Sequence, residues 1–134
     1  MNDVIKFIED NKVMVICRGL YDEDLMKVVN ALYAGGVRLA EVTFDQNDPD
    51  AVEKTSGAIR QLKEKYPDMK VGSGTVISEE QVKATKEAGG EFCLSPNVNV
   101  EVIKATKKEG LVSIPGALTP TEILQAHEAG ADIV

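Results

Sequence analysis

The sequence of 134 residues has no tryptophan, a single histidine and two cysteines, and aromatic side chains make up 4% of it. Neither Cys17 nor Cys93 has a cysteine or histidine near it at metal-ligand spacing, so no metal site is expected. Both thiols lie in apolar runs, Val13-Met14-Val15-Ile16-Cys17 and Phe92-Cys93-Leu94, and read as buried free thiols of a reducing compartment. No residue is marked as an activating base for either, which argues against a thiol nucleophile. Basic charge is scarce too: 15 lysines and arginines face 22 acidic residues, for a net charge of −7. The cations are spread singly, whereas a nucleic-acid backbone demands a clustered basic footprint, so nucleic acid is excluded as a partner. A small anionic substrate needs only one or two local donors and stays open. No apolar stretch approaches the length needed to span a bilayer, and Met1-Asn2-Asp3-Val4-Ile5-Lys6 lacks the apolar core of a secretory leader. The expectation is a cytoplasmic protein without membrane contact.

What is present is a recurring phrase, in which a helix-like segment ends in glycine and a short apolar run follows. Gly90, Gly110 and Gly130 stand twenty residues apart, and Gly35-Gly36 opens an earlier run in the same way. Each fits the position after a helix, where a left-handed backbone favours glycine. Helix starts are marked by Ser78-Glu79-Glu80-Gln81 and Thr119-Pro120-Thr121-Glu122, both readable as capping boxes, and by Asp48-Pro49. Leu25, Val28, Val29 and Leu32 form one helical stripe; Val52, Thr55, Ile59 and Leu62 form another. These signals predict helices over 3–11, 22–34, 49–65, 78–88, 98–109 and 120–129. Strands are predicted over 13–18, 38–44, 70–76, 91–95, 111–115 and 131–134.

Strict alternation of this kind means an α/β fold with a parallel sheet buried on both faces. A doubly wound open sheet and a (β/α)₈ TIM barrel both fit; the short, even repeat and the lack of a Gly-x-Gly-x-x-Gly opening favour the barrel. About six parallel strands in a single domain, 1–134, make an incomplete barrel, because a whole one typically takes about 200 residues or more.

In a barrel the chemistry lies at the carboxyl ends of the strands. Those ends read Cys17-Arg18-Gly19, Glu41-Val42-Thr43-Phe44-Asp45, Gly72-Ser73-Gly74-Thr75, Ser95-Pro96-Asn97 and Pro115-Gly116. Polar groups and glycines there contrast with apolar strand bodies. Glu41 is the candidate catalytic residue. A carboxylate within Leu39-Ala40-Glu41-Val42-Thr43 is costly to bury, and burial raises its pKa toward the range useful for general acid–base work. The competing reading is an ion pair with Arg18 or Lys70. Thr43 shares the face of Glu41. Gly74 either lets a ligand approach the backbone or packs tightly, and Thr75 offers a hydroxyl. Ser95-Pro96 leads into a helix start suited to an anion, or simply to capping by Asn97 or Asn99. Arg18 reads as a counter-charge for an anionic substrate or as a rim salt bridge. His127 reads as a helix-packing residue. Lys63, Lys83, Lys86, Lys104, Lys107 and Lys108 read as helix-surface charges.

Together the stretches Gly35-Gly36-Val37-Arg38-Leu39-Ala40-Glu41-Val42-Thr43, Val71-Gly72-Ser73-Gly74-Thr75-Val76, Leu94-Ser95-Pro96 and Ile114-Pro115-Gly116-Ala117-Leu118-Thr119-Pro120-Thr121-Glu122 resemble the 2-keto-3-deoxy-6-phosphogluconate / 4-hydroxy-2-oxoglutarate aldolase family. The resemblance implies a (β/α)₈ barrel, usually a homotrimer, that works without a cofactor. It implies a class I aldolase that splits a 2-keto-3-deoxy acid to pyruvate and an aldehyde through a lysine Schiff base. It gives Glu41 the proton shuttle, Thr75 and Ser95-Pro96 the pyruvyl carboxylate, and Arg18 a place in the same pocket; Thr43 and Gly74 belong to the substrate-binding group. The family's sixth strand runs from the position of Ile133-Val134 directly into the Schiff-base lysine, so this sequence ends just short of it. Many members carry arginine where this sequence has Asp45, which bears on substrate preference. Two other readings are kept open: an inactive barrel fragment that self-associates through its open sheet edges, and another phosphate-handling barrel enzyme that uses Glu41 as a base without an imine.

Overall fold

The computed structural model describes residues 3–134. Met1 and Asn2 of the N-terminal stretch discussed above lie outside the described residues. The order is α1 (Asp3–Asn11), β1 (Met14–Cys17), α2 (Asp22–Ala34), β2 (Leu39–Thr43), α3 (Ala51–Lys65), β3 (Lys70–Gly74), α4 (Glu79–Glu87), β4 (Phe92–Ser95), α5 (Val100–Lys108), β5 (Val112–Pro115) and α6 (Pro120–Glu128). The five strands form one parallel sheet in the order β1-β2-β3-β4-β5, so each strand pairs with its neighbours in sequence. This is an arc of a (β/α) barrel.

The register sorts side chains onto two faces. Met14, Leu39 and Lys70 align across β1, β2 and β3, as do Ile16, Glu41 and Gly72; Phe92 and Val112 align across β4 and β5. Leu39, Phe92 and Val112 on this face are fully buried because α1 lies across them, contributing Val4, Ile5, Phe7 and Ile8. Helix α1 therefore plugs the amino-terminal end of the arc. The opposite face carries Ala40, Val42 and Val71 against Leu25, Val29, Ile59 and Leu62 of α2 and α3. Ile16 is on the plugged face but beyond the reach of the plug, and remains 63% exposed.

The sixth predicted strand is not formed. Residues 131–134 run beside β5, and the Asp132 and Ile133 amides both donate to the Ser113 carbonyl at 3.0 and 3.3 Å. The reciprocal bond of a ladder is missing, because the Ser113 amide donates to the Asp132 carboxylate (2.8 Å) rather than to a backbone carbonyl. Asp132 is fixed there by Lys107 of α5, with both oxygens 2.6 Å from Nζ. A side chain thus takes the place of a strand backbone. Replacing Asp132 with alanine is expected to release this run and cost roughly 1–3 kcal/mol, read by urea unfolding and by loss of exchange protection at the Ser113 amide.

Other details depart from expectation for local reasons. Left-handed backbone occurs at Gly36, Gly89, Gly110 and Gly130, so Gly89 rather than Gly90 ends α4. Gly90 is constrained differently: a Cβ there would lie 2.6 Å from Thr85 Cγ2. Helix α3 starts two residues after Pro49, since Asp48 accepts from the Asp50 amide and pairs with Lys54 instead of capping. Thr119 and Glu122 form the full capping box. At α4 only half of the box exists, as Ser78 accepts from Gln81 N while the Gln81 side chain turns to Ile77. His127 is exposed on α6, whose fully buried side chain is Ala126. Lys63 and Lys107 are not plain surface charges. Lys63 and Lys70 both bind Glu91 at 2.6 Å, tying α3 and β3 to the start of β4.

Candidate active site

The carboxyl ends of the strands bring together most of the residues singled out above. Glu41 and Thr43 are two apart on β2 and so share a face. Both are buried, and the Thr43 hydroxyl donates to Glu41 Oε1 at 3.0 Å. With 4% exposure, Glu41 has lost most of its water. Burial pushes its carboxyl above the ordinary glutamate range; the Thr43 hydrogen bond and the positive charge of Arg18 oppose that shift without cancelling it. Lys70, the alternative ion-pair partner, sits at the other end of its strand on Glu91.

The space that Glu41 occupies is created by β3. A Cβ on Gly74 would fall 1.4 Å from Glu41 Oε1 and 2.1 Å from its Cδ. A Cβ on Gly72 would meet the Phe92 ring at 2.2 Å and the Phe92 carbonyl oxygen at 2.3 Å. The two glycines therefore remove side chains from one face of β3, and neighbouring strands fill the room with a carboxylate and a phenyl ring. For Gly74 this is close packing, but against the Glu41 carboxylate rather than against a helix.

Beyond Gly74 the chain turns sharply. Thr75 has φ +56°, a left-handed conformation that a β-branched residue rarely adopts. Its hydroxyl faces Arg18, whose Nη2 lies 3.5 Å away. Glu41, Thr43, Gly74, Arg18 and Thr75 thus form one chain of neighbours: a buried carboxylate at its base and a guanidinium with a hydroxyl at its rim. The chemistry available is proton transfer at Glu41 beside a place for an anion near Arg18.

Ser95 and Pro96 form an adjoining cluster with β5. The Gly116 amide donates to the Ser95 carbonyl at 2.8 Å, and a Cβ on Gly116 would lie 2.8 Å from the Pro96 carbonyl oxygen. Pro96, Asn97, Gly116, Leu118 and Glu122 border a cavity of about 300 Å³. Asn99, rather than Asn97, caps α5, accepting from the Glu101 and Val102 amides at 3.1 and 3.3 Å. The two thiols are free and buried; burial pushes Cys17 upward, aided by Glu41, and takes Cys93 to about 11, so both stay protonated. Among the described residues no cluster of histidine, cysteine and carboxylate side chains could hold a metal, and no helix is long and apolar enough to cross a membrane.

Two glutamines near the site make contacts that no sequence signal announces. Gln46 donates to the Thr75 carbonyl at 2.8 Å, and Gln81 donates to Gln46 Oε1 at 3.0 Å. Gln46 carries no motif and Gln81 reads only as the end of a capping box; the fold alone joins them to Thr75.

Known proteins resemble this chain in sequence and in fold. The family model for KDPG and KHG aldolase matches residues 4–134. A probable 2-dehydro-3-deoxy-6-phosphogalactonate aldolase of Rhizobium meliloti is 34% identical over 122 residues, which cover 91% of this chain and 55% of that protein. The KHG/KDPG aldolase of Escherichia coli is 33% identical over 108 residues, covering 81% of this chain and 48% of the relative. The 2-keto-3-deoxy-6-phosphogluconate aldolase of Zymomonas mobilis ZM4, solved with 3-phosphoglycerate, superposes with a TM-score of 0.81 at 29% identity, covering 98% of this chain and 60% of that one. The KDPG aldolase of Legionella pneumophila, with pyruvate captured as a covalent carbinolamine, gives a TM-score of 0.75 at 29% identity over 89% of this chain and 55% of that one. The chain spans about half the length of the curated relatives it matches. On the match of its whole described length but one residue, the chain belongs to the KDPG and KHG aldolase family.

Proposed function

We propose that this chain supplies the acid–base half of a class I, pyruvate-type aldolase. Such an enzyme cleaves a 2-keto-3-deoxy acid, phosphorylated or not, or 4-hydroxy-2-oxoglutarate, into pyruvate and an aldehyde. The observation that carries the reading is Glu41: a carboxylate 4% exposed, raised in pKa by burial, at the carboxyl ends of parallel strands. That combination suits a group that takes up and returns protons near neutral pH. In the proposed reaction a lysine amine adds to the keto carbon and water leaves, giving a protonated imine. The imine accepts the electron pair of the breaking carbon–carbon bond, and pyruvate enamine forms as the aldehyde departs. Glu41 moves protons at the carbinolamine oxygen and at the substrate hydroxyl. Arg18 and Thr75, with the Ser95-Pro96 turn, hold the pyruvyl carboxylate. Relatives named as aldolases, one of them captured with covalently bound pyruvate, support the assignment. By the resemblance, the lysine belongs to the stretch that follows Val134 in the family.

The test is chemical trapping. Full-length protein incubated with pyruvate and then with borohydride is expected to gain a stable pyruvate adduct on one lysine, seen by intact mass and peptide mapping. Protein that remains unmodified under those conditions would refute the imine mechanism and leave Glu41 to serve as a base in a different reaction. By the same resemblance we place the enzyme in the cytoplasm as a homotrimer; light scattering checks the latter.

A further inference from the structure

Thr75 is held in an unfavourable backbone conformation by a chain of two side-chain amides. The polarity of that chain is set by its ends. Gln81 Oε1 accepts from the Ile77 amide at 2.8 Å, a backbone group that can only donate. Gln81 Nε2 must then donate, and does so to Gln46 Oε1 at 3.0 Å. Gln46 Nε2 in turn donates to the Thr75 carbonyl at 2.8 Å, a backbone group that can only accept. The relay thus spans the turn, gripping it on either side of Val76, whose own amide is fixed to the Leu94 carbonyl at 3.0 Å. Gln81 is 7% exposed and anchored on α4, whereas Gln46 is exposed in the segment after β2. Between the gripped ends, Thr75 sits at φ +56° with its hydroxyl toward Arg18. Backbone strain of this kind persists only where the surroundings over-determine it. Here the Gln46–Gln81 relay is a visible part of what does so.

We propose that Gln46 and Gln81 are positioning residues for the anionic end of the substrate. They hold the Thr75 hydroxyl against Arg18 and do not themselves touch the reacting atoms. This rests on the aldolase reading above, in which Arg18 and Thr75 receive the pyruvyl carboxylate. Both positions require an amide. A carboxylate at either one cannot donate to its next partner, and a flip of the remaining amide only moves the mismatch along the relay.

The experiment uses full-length protein with Gln46→Leu and, separately, Gln81→Glu. Because Gln46 is exposed, the first variant removes one link without opening the core. Two readings are taken on each variant. Amide exchange at Val76, between the gripped ends, reports the grip on the turn whether or not the protein is an aldolase, and is expected to speed up by at least about tenfold; the Ile77 amide keeps its Gln81 Oε1 acceptor in both variants and is the internal control. Steady-state kinetics on a 2-keto-3-deoxy acid are expected to show KM raised roughly tenfold with kcat within about threefold of wild type, as for loss of an interaction made equally in ground and transition states. Unchanged exchange would show that the relay does not hold the turn. Faster exchange with unchanged KM would show a structural brace with no part in binding. Either result overturns the proposal. Wild-type protein that traps no pyruvate would count against the aldolase reading alone, and is distinguishable because the exchange result does not depend on it.

Discussion

Glu41→Gln in the full-length protein is expected to lower turnover by about 10²–10⁴-fold without loosening the fold at neutral pH. The side chain keeps its shape and still offers Thr43 an acceptor, but it can no longer take or return a proton. The effect on stability has a definite sign. Burial raises the folded-state pKa of Glu41 above the unfolded value of about 4.3. Between those two values the folded protein binds the proton more tightly than the unfolded chain does. The stabilisation from that proton is complete below the unfolded pKa and is lost as pH rises through the folded one. Glutamine has no such dependence. The stability of the variant relative to wild type should therefore rise with pH above about 4.3 and level off once Glu41 is ionised in the fold. Chemical denaturation at a series of pH values, paired with turnover, checks both parts. A variant that retained near-normal turnover would remove Glu41 from the mechanism.

The second large effect separates two glycines on the same face of one strand. In Gly74→Ala the new methyl group falls on the Glu41 carboxylate, 1.4 Å from Oε1. The end of a flexible side chain can yield, so the strand survives at a cost of about 1–3 kcal/mol while the carboxylate is driven from its place. Turnover should fall by about 10²-fold or more, close to the loss expected for Glu41→Gln. In Gly72→Ala the obstacle is the Phe92 backbone oxygen at 2.3 Å as well as the ring, and backbone cannot swing aside. That variant should lose about 3 kcal/mol or more by forcing β3 and β4 apart. A double variant, Glu41→Ala with Gly74→Ala, should recover most of the stability lost by Gly74→Ala, because the methyl group then enters vacated space. Thermal melts and activity on the single and double variants decide the matter. Additive losses in the double variant would mean that the clash is relieved elsewhere.

The contrast between these glycines shows where the sequence was informative. Helix-like segments that end in glycine and lead into short apolar runs are local signals, and they placed five strands and six helices to within about two residues. Glu41 was visible as a carboxylate inside an apolar strand, and its neighbour Thr43 followed from the alternation of a strand. The fit of Gly74 around Glu41 was not visible, because it depends on how β2 and β3 are registered. Residues 131–134 looked like a strand because Ile133 and Val134 are apolar; nothing nearby in the chain announced that Asp132 would be drawn to Lys107 and the Ser113 amide. Lys63 read as a surface charge for the same reason, since its partner Glu91 lies 28 residues away. The Gln46–Gln81 relay joins the segment after β2 to the first turn of α4 across the end of the sheet, and no local signal pairs two glutamines that lie 35 residues apart. His127 was placed on the packing side of α6 on the strength of its apolar neighbours, yet Ile123 and Leu124 are themselves about half exposed.

The matching of strand order to chain order bears on how the molecule comes into being. Each strand docks on the one made just before it, and the intervening helix covers the new pair as it forms. Each pairing closes a loop of 20 to 31 residues, less than pairing strands out of chain order would demand, which keeps the loop-closure loss as small as a parallel sheet allows. Helix α1, which seals the amino-terminal end of the arc, precedes all five strands in the chain, so in synthesis a lid for Leu39, Phe92 and Val112 is made before each of them. Growth from the amino terminus can then proceed one strand and helix at a time, with the apolar floor covered as it is laid.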